Sequence, residues 1–347
     1  MIKGETDKQK SENSGNVEGA RSISTRETVR FASKNFETSE ARVNHLAIIN
    51  DEGFVCGLLS DLEIRLGLIA GHTIDDPVTK FMKPIRPSIA WEDLPHNSEF
   101  NSERKKIGYR QANLNNSSEE VHALIMAGGF GRRLGVMTET TPKPLLKIGN
   151  KRIVEHVFDQ LNQIKFDKIY LAVHHLWQQF IDFVSELGLA EQVELILEER
   201  PLGTAGAISL IPNLINGHLL VINADILSNL DLSKMLQFHR HFENDMTLAV
   251  FPHETKIPYG VTEFDSSGKF LHVSEKPTFL NYVLAGVYIL SPKALALVEC
   301  IEEINMPDLI ESAKQQGLNV RVFPLFEQWL DVGDVNSFAK AKELYSD

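Results

Sequence analysis

Between Ala123 and Ile148 the chain reads ALIMAGGFGRRLGVMTETTPKPLLKI. A short apolar run opens directly into Gly128-Gly129-Phe130-Gly131, and Arg132 and Arg133 follow at once. Glycines placed so let backbone N–H groups approach phosphate oxygens, because no Cβ stands in the way. Arg132 adds a planar fork of donors, and Lys143, held between Pro142 and Pro144, adds a compact charge. Residues 132–152 hold six basic side chains (Arg132, Arg133, Lys143, Lys147, Lys151, Arg152) against the single acid Glu139. In a chain of net charge −12 such an island suits a small polyanionic ligand. The loop lacks the Lys-Ser/Thr ending of a Walker loop, and Leu134 stands where a dinucleotide fingerprint needs its third glycine. Neither an ATPase nor a dehydrogenase is the natural reading.

Further along, acidic residues stand where they could complete such a site. Asp225 follows the apolar run 218–223, at the end of a strand where parallel sheets bind their ligands. Asp331 lies in Trp329-Leu330-Asp331-Val332-Gly333, after another apolar stretch. Either could equally cap a helix, and nearby Asp334 reads as the cap of the last one.

The elements that must position these residues alternate. Runs at 122–126, 168–173, 193–197 and 218–223 have the length of buried strands. Between them Ile153, Val157, Phe158 and Leu161 share one helical face, as do Leu176, Phe180, Val184 and Leu187. Strands separated by helices predict an α/β unit with a Rossmann-like, mixed but mostly parallel sheet covered on both faces. Beyond residue 246 strands follow closely, which predicts an antiparallel portion, and helices are expected over 307–316 and 335–344. Ahead of this unit (120–347) the composition predicts a disordered tail over 1–22, a small α+β domain over 23–95 and an Asn/Ser-rich linker over 96–119. The small domain contains a hairpin turning at Asn50-Asp51-Glu52-Gly53 and a helix from about Leu62 to Ala70.

Composition narrows the function classes. The acidic balance argues against nucleic acid as a partner, and no apolar run approaches the ~18 residues of a membrane helix. Two cysteines, Cys56 and Cys300, make no disulfide framework, and the polar start lacks the apolar core of a signal peptide. A cytoplasmic protein is expected, with a homo-oligomer left open.

The motifs resemble, in order, those of sugar-1-phosphate nucleotidyltransferases. They are the glycine loop with its arginine and Leu134, Pro142-Lys143-Pro144-Leu145, Glu198-Glu199-Arg200-Pro201-Leu202-Gly203-Thr204-Ala205-Gly206, Asn223-Ala224-Asp225, Pro258-Tyr259-Gly260-Val261, Glu275-Lys276-Pro277 and Trp329 to Gly333. The version around Glu198 is similar to mannose-1-phosphate guanylyltransferase-like proteins. That resemblance implies transfer of a nucleotidyl group from an NTP, with GTP favoured, to a sugar 1-phosphate, giving an NDP-sugar and pyrophosphate. It implies Arg132 and Lys143 as catalytic cations, and Mg2+ held by Asp225 and Asp331. It places Ala127, Gly128, Gly129, Gly131, Glu198, Gly203 and Thr204 around the nucleotide, and Gly260, Glu275 and Lys276 around the sugar phosphate. Two departures are visible: Leu284 replaces a common asparagine before Ala285-Gly286, and Ala224 replaces a common glycine. A non-catalytic regulatory or nucleotide-sugar-binding subunit on the same fold is the alternative.

The stretch from His45 to Pro84 resembles one CBS repeat, which implies an adenine-nucleotide sensor with Asp61 on the ribose. The competing reading is a small packing or dimerisation module.

Overall fold

The computed structural model describes residues 21–37, 45–85, 120–211, 217–298 and 302–345. Residues 1–20 of the expected tail over 1–22 and the linker over 96–119 lie outside these, as do residues 86–95 and Cys300. The chain divides into two units, Met1–Asn113 and Leu114–Asp347.

In the first unit, strands β1 (Arg21–Ser24), β2 (His45–Ile49), β3 (Val55–Ser60) and β4 (Lys83–Pro84) form one sheet in that order. Helices α1 (Val29–Glu37) and α2 (Asp61–Ile69) accompany it. The hairpin turn at 50–53 and the α2 helix lie where the patterning predicts them. The expected tail overlaps β1, because Arg21 and Ser22 pair with Leu46 and Ala47 in a parallel ladder. Backbone pairing needs no apolar side chain, so composition does not report it. Asp61 is committed locally, since its carboxylate receives Arg65 in a bidentate pair at 2.7 and 3.1 Å, and the Arg65 side chain is fully buried.

The second unit begins with β5 (Val121–Met126), a short hairpin of β6 (Lys147–Ile148) and β7 (Lys151–Arg152), and helix α3 (Ile153–Leu161). β8 (Lys168–Val173), α4 (Gln178–Glu186), β9 (Val193–Leu197), β10 (His218–Asn223), β11 (Ile226–Ser228) and α5 (Leu232–His241) follow. A long ribbon of β12 (Met246–Lys256), β13 (Gly260–Phe264), β14 (Phe270–Glu275) and β15 (Thr278–Leu290) comes next. The unit closes with α6 (Pro292–Leu295), α7 (Met306–Gln315), β16 (Val320–Pro324), β17 (Trp329–Asp331) and α8 (Val335–Leu344).

Seven strands make one sheet in the order β16-β12-β15-β10-β5-β8-β9. β10, β5, β8 and β9 run parallel, and β15 is antiparallel to both β10 and β12. Burial alternates between two faces and fills both. Leu124, Tyr170, Ala172, Leu219 and Val221 join one core with α7, while Ala123, Ile125, Leu171, Val173, Leu220 and Ile222 are buried as well. Strands buried on both faces read as continuous apolar runs, which is why they are legible in sequence. The chain builds outward from β5 through β8 to β9 and then returns to lay β10 on the other side of β5. That reversal opens a crevice at the carboxyl ends of β5 and β10. No helix of the described residues is long and apolar enough to cross a membrane.

A buried polar chain ties α5 to the sheet. His239 Nδ1 lies 2.8 Å from Thr247 Oγ1 and its Nε2 lies 3.1 Å from His218 Nδ1. Burial, reinforced by His218 and Arg240, pushes the His239 imidazole down to about 3. Its folded value is below the unfolded one, so the contribution is complete above about pH 6.5 and is lost as pH falls from there. Stability should therefore drop by about 1.4 kcal/mol per pH unit from this proton alone. Denaturant melts at pH 7.5 and 5.5 should show a steeper loss in the wild type than in His239→Gln; parallel losses would reject it.

Candidate active site

The crevice between β5 and β10 contains a cavity of about 520 Å³. On the β5 side it is lined by Ala127, Gly129, Phe130 and Gly131; on the β10 side by Ala224 and Asp225. Arg132, Arg133 and Lys143 close it with positive charge, and Gly333 reaches it from the chain's far end.

Local geometry explains the glycines. Gly131 has φ +65°, and a Cβ there would meet Thr138 at 2.9 Å and Lys143 at 3.0 Å. A Cβ on Gly128 would stand 2.4 Å from Glu198 Oε1, so the missing side chain lets a buried carboxylate pack against the loop. A Cβ on Gly129 would meet nothing within 4 Å, so that side of the loop faces open space. Burial pushes the Glu198 carboxyl up, and the Leu202 N–H at 3.0 Å and nearby His174 work against this.

Asp225 and Asp331 are brought together by the two-stranded β11–β17 ladder, in which Ile226 pairs with Asp331 and Val332 N–H donates to the Asp225 carbonyl at 3.0 Å. Lys143, 7 % exposed, places its ammonium 2.5 Å from Asp225 Oδ2. Burial, with Asp225 alongside, pushes the Asp331 carboxyl up, while Lys143 and Arg133 pull it down. Asp331 Oδ1 is buried and finds no hydrogen-bond partner among the described residues. Two converging carboxylates, one with an unsatisfied buried oxygen, fit a hard divalent cation that takes its other ligands from phosphate and water.

Of the expected site residues, Ala127, Gly129, Gly131, Arg132, Lys143 and Asp225 line this one cavity, and Gly128, Glu198 and Asp331 stand directly behind it. Gly203 and Thr204 are not part of the cavity lining and lie against the 304–306 segment. A Cβ on Gly203 (φ +77°) would meet the Ile304 carbonyl at 2.6 Å, and Thr204 Oγ1 accepts from Met306 N at 2.8 Å, capping α7. Gly260, Glu275 and Lys276 do lie together, with Gly260 in register with Glu275 and Lys276 Nζ 3.8 Å from Glu275 Oε1. They sit on the exposed ribbon rather than on the cavity lining, their two charged side chains about 70 % accessible. Arg133 is the charged lining residue that was not among the expected site residues. A Cβ on Gly333 would fall 3.2 Å from Arg133 Nη2 and 3.3 Å from Asp331 Oδ1, so Gly333 makes room for both. The signal was present, because Arg133 stands in the same basic run as Arg132.

Residues 122–347 match the family described as nucleotidyl transferase. Mannose-1-phosphate guanylyltransferase 1 of Arabidopsis thaliana is 31% identical over 238 residues, covering 65% of this chain and 64% of the relative. The catalytic subunit beta of the same activity from Drosophila pseudoobscura pseudoobscura is 31% identical over 234 residues, covering 64% and 62%. The chain thus spans less than two thirds of the length of these relatives. A candidate glucose-1-phosphate thymidylyltransferase from Bacillus anthracis, solved with sucrose, shares the fold. Its TM-score is 0.53 at 22% identity, covering 65% of this chain and 96% of that one. Through residues 122–347, this chain belongs to the nucleotidyl transferase family.

Proposed function

We propose that the second unit transfers a nucleotidyl group from GTP to a sugar 1-phosphate. An oxygen of the sugar phosphate forms a bond to the α-phosphorus, the bond from that phosphorus to the bridging oxygen breaks, and pyrophosphate leaves with the electron pair. The glycine loop would take the triphosphate on its backbone N–H groups. Arg132 and Lys143 would neutralise the charge that builds on the departing pyrophosphate, and Arg133 would balance the carboxylate of Asp331. Mg2+ held by Asp225 and Asp331 would supply further charge stabilisation on the phosphates. Gly260, Glu275 and Lys276 would meet the sugar phosphate from the ribbon. The observation that carries this reading is the pairing of two aspartates, one with an unsatisfied buried oxygen, at the mouth of a glycine loop flanked by three cations. GTP is preferred because the relatives named above are guanylyltransferases.

For the first unit, proposed as a partial CBS-like module, the pairing of Asp61 with buried Arg65 favours packing over ribose recognition. Pyrophosphate release across four NTPs and a panel of hexose 1-phosphates tests the activity. Release with GTP and at least one sugar phosphate is expected, and none with any pair would reject it.

A further inference from the structure

Phe130 is the one large apolar side chain in the glycine loop, and its surroundings are built. Its ring meets His174 edge-on, centroids 5.4 Å apart at 87°, and His175 at 5.5 Å and 40°. The Arg132 guanidinium carbon lies 4.9 Å from the ring centroid. His174 is itself anchored, since its Nδ1 stands 2.7 Å from the Glu198 carbonyl. A carbonyl only accepts, so Nδ1 carries the proton there. The turn presenting both histidines contains Leu176 at φ +54°, a conformation that side-chain-bearing residues adopt rarely and that persists where surrounding structure holds it.

We propose that Phe130 is a positioning residue: braced by His174 and His175, it holds the Arg132 guanidinium over the cavity. Rigid planar donors lose less freedom on binding phosphate when already held. A cation over an aromatic face is also favoured by the ring's quadrupole. Because Arg132 already covers a face of the ring, the geometry favours this role over that of a stacking platform for a nucleobase. The inference rests on the assignment of Arg132 to the triphosphate.

The test uses inorganic tripolyphosphate, which carries no base, titrated calorimetrically into the full chain at constant magnesium. Arg132→Ala and Phe130→Leu should each weaken binding about three- to tenfold. Phe130→Tyr, which keeps the ring, should stay within about twofold, and Phe130→Leu should add nothing in an Arg132→Ala background. Thermal melts establish that the loop variants are folded, as expected for a ring that is 36 % exposed. Full additivity in the double variant would overturn the inference, as would loss restricted to one nucleobase with tripolyphosphate binding intact. If Arg132→Ala weakens binding and Phe130→Leu does not, the positioning role alone fails. If Arg132→Ala itself has no effect, the assignment of Arg132 to the phosphates fails, and the positioning role falls with it.

Discussion

Replacing Asp225 by Asn is expected to leave a folded protein with at least about a hundredfold lower kcat for pyrophosphate release. The change conserves volume at a half-buried position, and the backbone link from Val332 N–H to the Asp225 carbonyl does not involve the side chain. What disappears is one of the two negative charges proposed for magnesium, together with the ion pair to Lys143. An aspartate that merely held Lys143 in place would tolerate the amide, which still accepts a hydrogen bond. Two measurements check it: kcat at saturating magnesium, and the rise in melting temperature on adding magnesium with nucleotide. Near-wild-type turnover with an undiminished magnesium-dependent rise would mean that Asp225 is not a ligand.

The second large effect separates the two lysines. Lys143 is 7 % exposed and sits against Asp225 inside the cavity, whereas Lys276 is exposed on the ribbon beside Glu275. Lys143→Ala should depress kcat about tenfold to a hundredfold, since a charge-assisted contact to a phosphate contributes roughly 1.5–3 kcal/mol. It should do so without a matching rise in the KM for nucleotide, because charge on the leaving pyrophosphate grows mainly in the transition state. Lys276→Ala should instead raise the KM for sugar 1-phosphate about tenfold and leave the nucleotide KM nearly unchanged. Steady-state kinetics with each substrate varied in turn distinguish these patterns. An equal effect of Lys276→Ala on both substrates would move the sugar pocket away from the ribbon.

Much of the second unit could be read from sequence because burial leaves a local signature. The runs 168–173, 193–197 and 218–223 are strands with those bounds, and α8 spans 335–344 as patterned. Residues buried on both faces must be apolar one after another, whatever their neighbours in space. The first unit was less legible. β1 and α1 were not foreseen: β1 is four residues long with one buried apolar side chain, Ile23, and its place is set by a parallel ladder to β2. Thr204 shows the same limit at a single residue. Nothing near it in the sequence shows that its hydroxyl accepts from the Met306 N–H, 102 residues later.

By itself the sequence determined the sheet and its order of strands and helices, the glycine loop, and the charged residues available for phosphate chemistry. Each depends on residue type or on short-range periodicity, which one segment carries alone. Tertiary structure decided which of those residues meet. The β11–β17 ladder joins Asp225 to Asp331, and Gly333 opens room for Arg133 beside them. The same folding gives Gly203 and Thr204 to the 304–306 segment and leaves Lys276 on an exposed ribbon. The contacts that do this join segments about one hundred to two hundred residues apart, whose pairing is written in the packing of the whole unit and in no single stretch of it.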